Sequence, residues 1–148
     1  MNVKYRKSRT AFSLVELVVV IMILGILAAV AAPKLLQTSG DATDNGVKQT
    51  LAVVRDAIEM YAASNGGALP GADGVELTFK TDLETHLRGN FPKCPVGNKN
   101  DQVFITTADT DIAGGAGTGE GWHYCNQNGQ FIINSASTDS GGTSYDAY

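Results

Sequence analysis

"SRTAFSLVELVVVIMILGILAAVAAPKLL", residues 8–36, is the stretch on which the fold turns. Glu16 is the one charged residue between Phe12 and Ala32. The apolar run of about 20 residues, at 1.5 Å per residue of helix, matches a hydrocarbon core of about 30 Å. A carboxylate left alone in that medium costs roughly 3 kcal/mol or more. Glu16 therefore needs a partner, or must reach the headgroups one turn away.

The flanks orient the segment. Lys4, Arg6, Lys7 and Arg9 precede it with no acid among them, which holds the N-terminus in the cytoplasm and sends the rest across. The whole chain carries −4; without those four cations the remainder carries about −8. An acidic, Gly-rich remainder with no basic patch makes nucleic acid an unfavourable partner. The residues after Pro33 suffice for one small core and not for a large enzyme with a deep cleft. "AAVAA", residues 28–32, mimics a signal peptidase site, but the apolar run is longer than the roughly 7–15 residues of a secretory signal. Cys94 and Cys125 suit one disulfide in an oxidising compartment, two buried thiols being the alternative. Neither lies in a CxxC or in a Cys/His cluster with metal-ligand spacing.

The basic leader, the small residue at position 11, "FSLVEL", the unbroken apolar run and Pro33 together resemble the class III signal of type IV pilins and of type II secretion pseudopilins. The resemblance implies cleavage between Ala11 and Phe12 by a membrane-embedded prepilin peptidase, which also N-methylates Phe12. Residue 11 departs from the family's usual Gly, which predicts cleavage at a slower rate. Residues 1–11 are then a removed leader, 12–33 a transmembrane and assembly helix, and 34–148 a periplasmic or extracellular head. The resemblance also gives Glu16 a partner: the methylated amino terminus of a neighbouring subunit, so that docking is favourable at one stagger. Breaking such a buried pair by deleting one partner costs about 3–5 kcal/mol.

Further along, Pro33 removes a helical hydrogen bond, predicting a kink or local melting. "QTSGDATDNG" (37–46) is poor in helix formers and predicts a soft point at Ser39-Gly40, or a break with Asp41 or Thr43 capping a second helix. Val47, Leu51, Val54, Ile58 and Tyr61 then form a stripe of period 3.6, the core face of an amphipathic helix ended by Gly66 and Gly67. Thr81 with Glu84 has the capping-box pattern for a short helix. His86 and His123 have no Ser or Cys nucleophile placed with them, so both read as surface or packing residues.

"QVFITT" (102–107), "GWHYC" (121–125) and "QFIINS" (130–135) read as strands, the last two joined at Asn128-Gly129 into a hairpin whose Trp122/Tyr124 face covers the helix. The expected fold is α+β: a pilin-like long helix packed on a small antiparallel sheet. A Cys94–Cys125 bond would close a loop of about 30 residues, stabilising on the order of 3–4 kcal/mol. The loop at 108–121 carries Asp109, Asp111 and Glu120; the resemblance makes a Ca²⁺ site conceivable there, without EF-hand spacing, and no other cofactor is expected. "STDSGGTSYDAY" (137–148) predicts a mobile polar tail.

The sequence holds no GxSxG, HExxH or paired carboxylates, which disfavours an anchored enzyme. The leading expectation is a non-enzymatic subunit, anchored in the inner membrane with its head in the periplasm, polymerising into a helical filament. Its partners would be further copies, the prepilin peptidase, an inner-membrane assembly platform and minor pilins or pseudopilins. A pseudopilus for type II secretion is favoured over a surface pilus for adhesion, motility or DNA uptake. A monomeric anchored binding module is the remaining alternative.

Overall fold

A computed structural model describes residues 12–148. The expected leader, with Ala11, lies outside the described residues. The chain divides into two compact units, one ending at Thr38 and a head running Ser39–Tyr148.

Helix α1 spans Leu14–Ser64 and passes through Pro33 without interruption. The local melting expected as one outcome at Pro33 does not occur, since the helix is continuous through it. A proline inside a helix costs about 3 kcal/mol, but a helix of 51 residues propagates cooperatively on either side of it. The predicted break at 37–46 is also absent, and neither Asp41 nor Thr43 caps a second helix. The residues that read as breakers turn their hydroxyls back onto the helix: Thr38 Oγ1 donates to the Lys34 carbonyl at 2.9 Å and Thr43 Oγ1 to that of Ser39 at 3.0 Å. The expected C-terminal glycines are in place, with Gly66 and Gly67 at positive φ and the Gly67 N–H on the Ala62 carbonyl at 2.8 Å.

Within the head, Val47, Leu51, Val54 and Ile58 are buried along one side of α1, as their spacing predicts. Against them lie Trp122 and Tyr124 of one strand and Phe131 and Ile133 of the next. The three strands are β1 (Val103–Thr106), β2 (Trp122–Cys125) and β3 (Phe131–Ile133), in spatial order β1-β2-β3. The β2–β3 hairpin is antiparallel with Trp122 opposite Ile133, but β1 runs parallel to β2 with Val103 opposite Trp122. The sheet is therefore mixed rather than antiparallel. The segment 107–121 explains it: a parallel return needs a connection of a dozen or more residues, and this Gly-rich stretch supplies one.

Helix α2 (Glu76–Glu84) starts earlier than the Thr81 capping box predicts. Thr81 lies inside it, bonded to the Leu77 carbonyl. Asp73 organises the start instead: one oxygen accepts the Val75 N–H at 3.0 Å and the other the Thr78 hydroxyl at 2.7 Å. The tail, read from its composition as mobile, is packed on the head. Thr138 bridges Ser144, a 3-10 turn covers Tyr145–Ala147, and Tyr145 is buried. Asp44 of α1 anchors it by accepting the Ser140 N–H (3.1 Å), the Ser140 hydroxyl (2.6 Å) and the Tyr145 hydroxyl (2.6 Å). Those bonds, led by the Ser140 hydroxyl, hold the Asp44 carboxyl below the ordinary carboxylate range. Arg55 adds a second tie, donating to the Phe131 and Tyr148 carbonyls.

Candidate assembly site at the helix N-terminus

The first turns of α1 bury nothing within the chain. Phe12 is 81% exposed, and no residue of the apolar window is buried. Such an uninterrupted apolar surface is satisfied by lipid or by other apolar helices.

Glu16 has a local role that the membrane argument did not reveal. Its Oε2 accepts the Ser13 N–H at 2.8 Å, while Ser13 Oγ accepts the Val15 N–H at 3.3 Å. Ser13 and Glu16 thus form a variant of the capping box, with Glu16 on the Ser13 N–H and Ser13 on the Val15 N–H, that satisfies two backbone donors at the start of the helix. The S-x-x-E spacing in "FSLVEL" carries that signal, beside the more conspicuous charge. Phe12 lies four residues back, just ahead of the first helical residue, Leu14. The carboxylate sits with the positive end of the helix dipole, where a further cation can share it.

The other candidate residues are dispersed. Asp109 and Asp111 are exposed in their loop, and Glu120 folds back so that Oε2 accepts the Thr118 and Gly119 N–H groups at 2.8 and 3.0 Å. Glu120's own N–H, followed by these amides, holds its carboxyl below the usual range. Two asparagines pin the loop. Asn134 bonds both the N–H and the carbonyl of Ala116, and Asn100 accepts the Gly121 N–H and donates to the Gly119 carbonyl. Among the described residues no three His, Cys, Asp or Glu side chains converge to hold a metal ion. Asp109, Asp111 and Glu120 are thus not drawn together into one carboxylate cluster.

The expected Cys94–Cys125 disulfide is likewise corrected: both residues are buried free thiols. Alternation along β2 is the reason, since it places Cys125 on the face opposite Trp122 and Tyr124.

Both histidines serve packing. His86 meets the Tyr61 ring edge-on. His123 is buried; a carbonyl can only accept, so Nδ1–H donates to Ala113 at 2.8 Å and Nε2 accepts from the Thr106 hydroxyl at 2.7 Å. Burial lowers its pKa from the ordinary value near 6.5, partly offset by the bond to Ala113. The unfolded chain then binds the extra proton first. Stability is complete above about 6.5 and declines as pH falls from there towards the lower folded value. Denaturant midpoints at pH 7 and pH 5.5 should show that decline, and His123→Asn should flatten it; an unchanged slope in the variant would place the titration elsewhere.

Residues 6–32 match the prokaryotic N-terminal methylation motif. The chain is similar to type II secretion system core protein G of Vibrio cholerae serotype O1, 30% identical over 114 residues that cover 72% of this chain and 77% of that protein. It is similar to the core protein G of Pseudomonas aeruginosa (31% over 75 residues; 51% and 53% of the two chains) and of Klebsiella pneumoniae (32% over 83 residues; 55% and 59%). No solved structure matches it.

Proposed function

The chain belongs to the type II secretion core protein G family, and on that premise we propose that it is the subunit of a periplasmic pseudopilus that drives protein export. The prepilin peptidase removes residues 1–11 and methylates Phe12. The apolar helix then holds the subunit in the inner membrane, N-terminus at the cytoplasmic side and head in the periplasm. An assembly platform lifts it into a helical filament of like copies. The subunit performs no chemistry of its own. The filament's growth displaces cargo, and its heads are rigid because α1, the sheet and the tail share one core.

One observation carries this reading: the long apolar window of α1 has no buried residue, so its surface is left for lipid and for sister helices. Glu16, held ready by Ser13, would then trade part of its local bond for the amine of a neighbour's Phe12. That pairing supplies the register which a featureless apolar surface lacks.

Mass spectrometry of the membrane-extracted chain tests the processing: the expected N-terminus is Phe12 carrying one methyl group. A start beyond residue 32 would mean ordinary secretion and end the proposal. Deleting the chain from its host should strand folded exoproteins in the periplasm and leave surface fibres intact. Lost fibres with normal secretion would move the subunit to a surface pilus.

A further inference from the structure

The chain has two cysteines, and the structure puts them where they cannot meet. Cys94 belongs to the core that includes Trp122 and Tyr124. It sits against the start of β2, so near Gly121 that a Cβ added there would stand 2.9 Å from the Cys94 Cβ. Cys125 ends the same strand on its other face, packed with Ile112 and Ile132 and donating through Sγ to the Ala108 carbonyl at 3.2 Å. Four residues of strand separate Gly121 from Cys125, about 13 Å. A disulfide requires Cα atoms within about 7 Å and Cβ atoms about 4 Å apart. Both the distance along β2 and the sheet between its faces forbid the bond.

We infer that the native head and the Cys94–Cys125 disulfide are mutually exclusive, so that thiol oxidation works as a switch that keeps this chain out of its fold. The folded state protects itself, because both side chains are at most 1% exposed and burial pushes the Cys94 thiol up, away from the reactive thiolate. The unfolded chain has no such protection. One cysteine thiolate attacks a small-molecule disulfide, releasing one thiolate and leaving a mixed disulfide. The second cysteine thiolate displaces the other half. The two cysteines lose two protons and two electrons, and the oxidant becomes two thiols. With that loop closed, Cys125 is drawn towards Cys94, and β2 cannot present Trp122 and Tyr124 to α1 while Cys125 faces away. The head must therefore fold before an oxidant reaches both thiols, or be rescued by a reductant afterwards.

The test uses the full chain in detergent micelles with oxidised glutathione as oxidant. In denaturant the intramolecular disulfide should form completely. In the native protein its formation should be slower by about 10³-fold or more, the lower end of folded-to-unfolded ratios for small domains. The oxidised chain, freed of denaturant, should keep Trp122 fluorescence solvent-like until a thiol reductant is added. A chain carrying both Cys94→Ala and Cys125→Ala, with no thiol left to oxidise, should refold in the same oxidising buffer. Native protein that acquires the 94–125 bond and still unfolds cooperatively would overturn the inference. So would oxidised chain that refolds without reductant.

Discussion

Glu16→Val is expected to leave the mature chain in the membrane and remove it from filaments. The substitution lengthens an apolar surface already sufficient to span, so anchoring is not at risk. Two effects separate at this residue. Losing the capping box weakens the first turn by about 1 kcal/mol. On the proposed pairing, losing the charge would leave a neighbour's amino terminus unpaired in a low-dielectric contact, about 3–5 kcal/mol per subunit, or a factor of roughly 10² to 4 × 10³ in the docking equilibrium. The second effect is larger, and each subunit in a filament feels it. Glu16→Gln distinguishes the two, because a glutamine oxygen can still accept the Ser13 N–H while the charge is gone. Both variants should be found in the membrane fraction, cleaved, and missing from sheared or cross-linked filaments. If Glu16→Gln assembles like the unaltered chain, charge pairing is not what sets the register, and the capping box becomes the reason for the acid.

What could be read ahead of the structure was whatever a local period or a local pair encodes. The 47-51-54-58 stripe and the Trp122/Tyr124 alternation fix which faces meet, because burying the wrong face would expose the whole apolar set. The direction of β1 is not local information. It depends on where the 107–121 connection delivers the chain, and Gly-rich composition is silent on that. Poor helix formers at 37–46 were overruled by tertiary bonds from almost a hundred residues away, Ser140 and Tyr145 on Asp44. The same bonds order a tail whose composition resembles that of a disordered segment. The disulfide expectation came from counting cysteines and reading compartment, and counting says nothing about which face of a strand a thiol occupies. At the assembly site, Glu16 was evident from its charge, while Ser13 was hidden in the same six letters.

Phe131→Ala should be the most destabilising single truncation in the head. Its ring is 1% exposed and meets four others: Trp122 at 5.1 Å between centroids, Phe79 at 6.2 Å, Phe91 at 6.3 Å and Tyr124 at 6.5 Å. Those neighbours come from β2, α2 and the turn after it, so collapse onto the cavity would have to move several elements together. Truncating a buried phenylalanine costs about 3–5 kcal/mol, more where the site cannot collapse. A small domain has about 5–15 kcal/mol in all. At about 4 °C per kcal/mol the thermal midpoint should drop by on the order of 15 °C. The backbone carbonyl that Arg55 holds is retained in the variant, so the loss measures the ring. Ile132 offers the contrast one residue away: it points to the small cluster with Ile112 and Cys125 on the opposite face, and Ile132→Val should cost only about 0.5–1.5 kcal/mol. Thermal unfolding of the full chain in detergent, followed by Trp122 fluorescence, compares the two. Equal drops for both variants would mean that the faces of the sheet are not unequal partners and that the aromatic cluster is not what holds α1 to the strands.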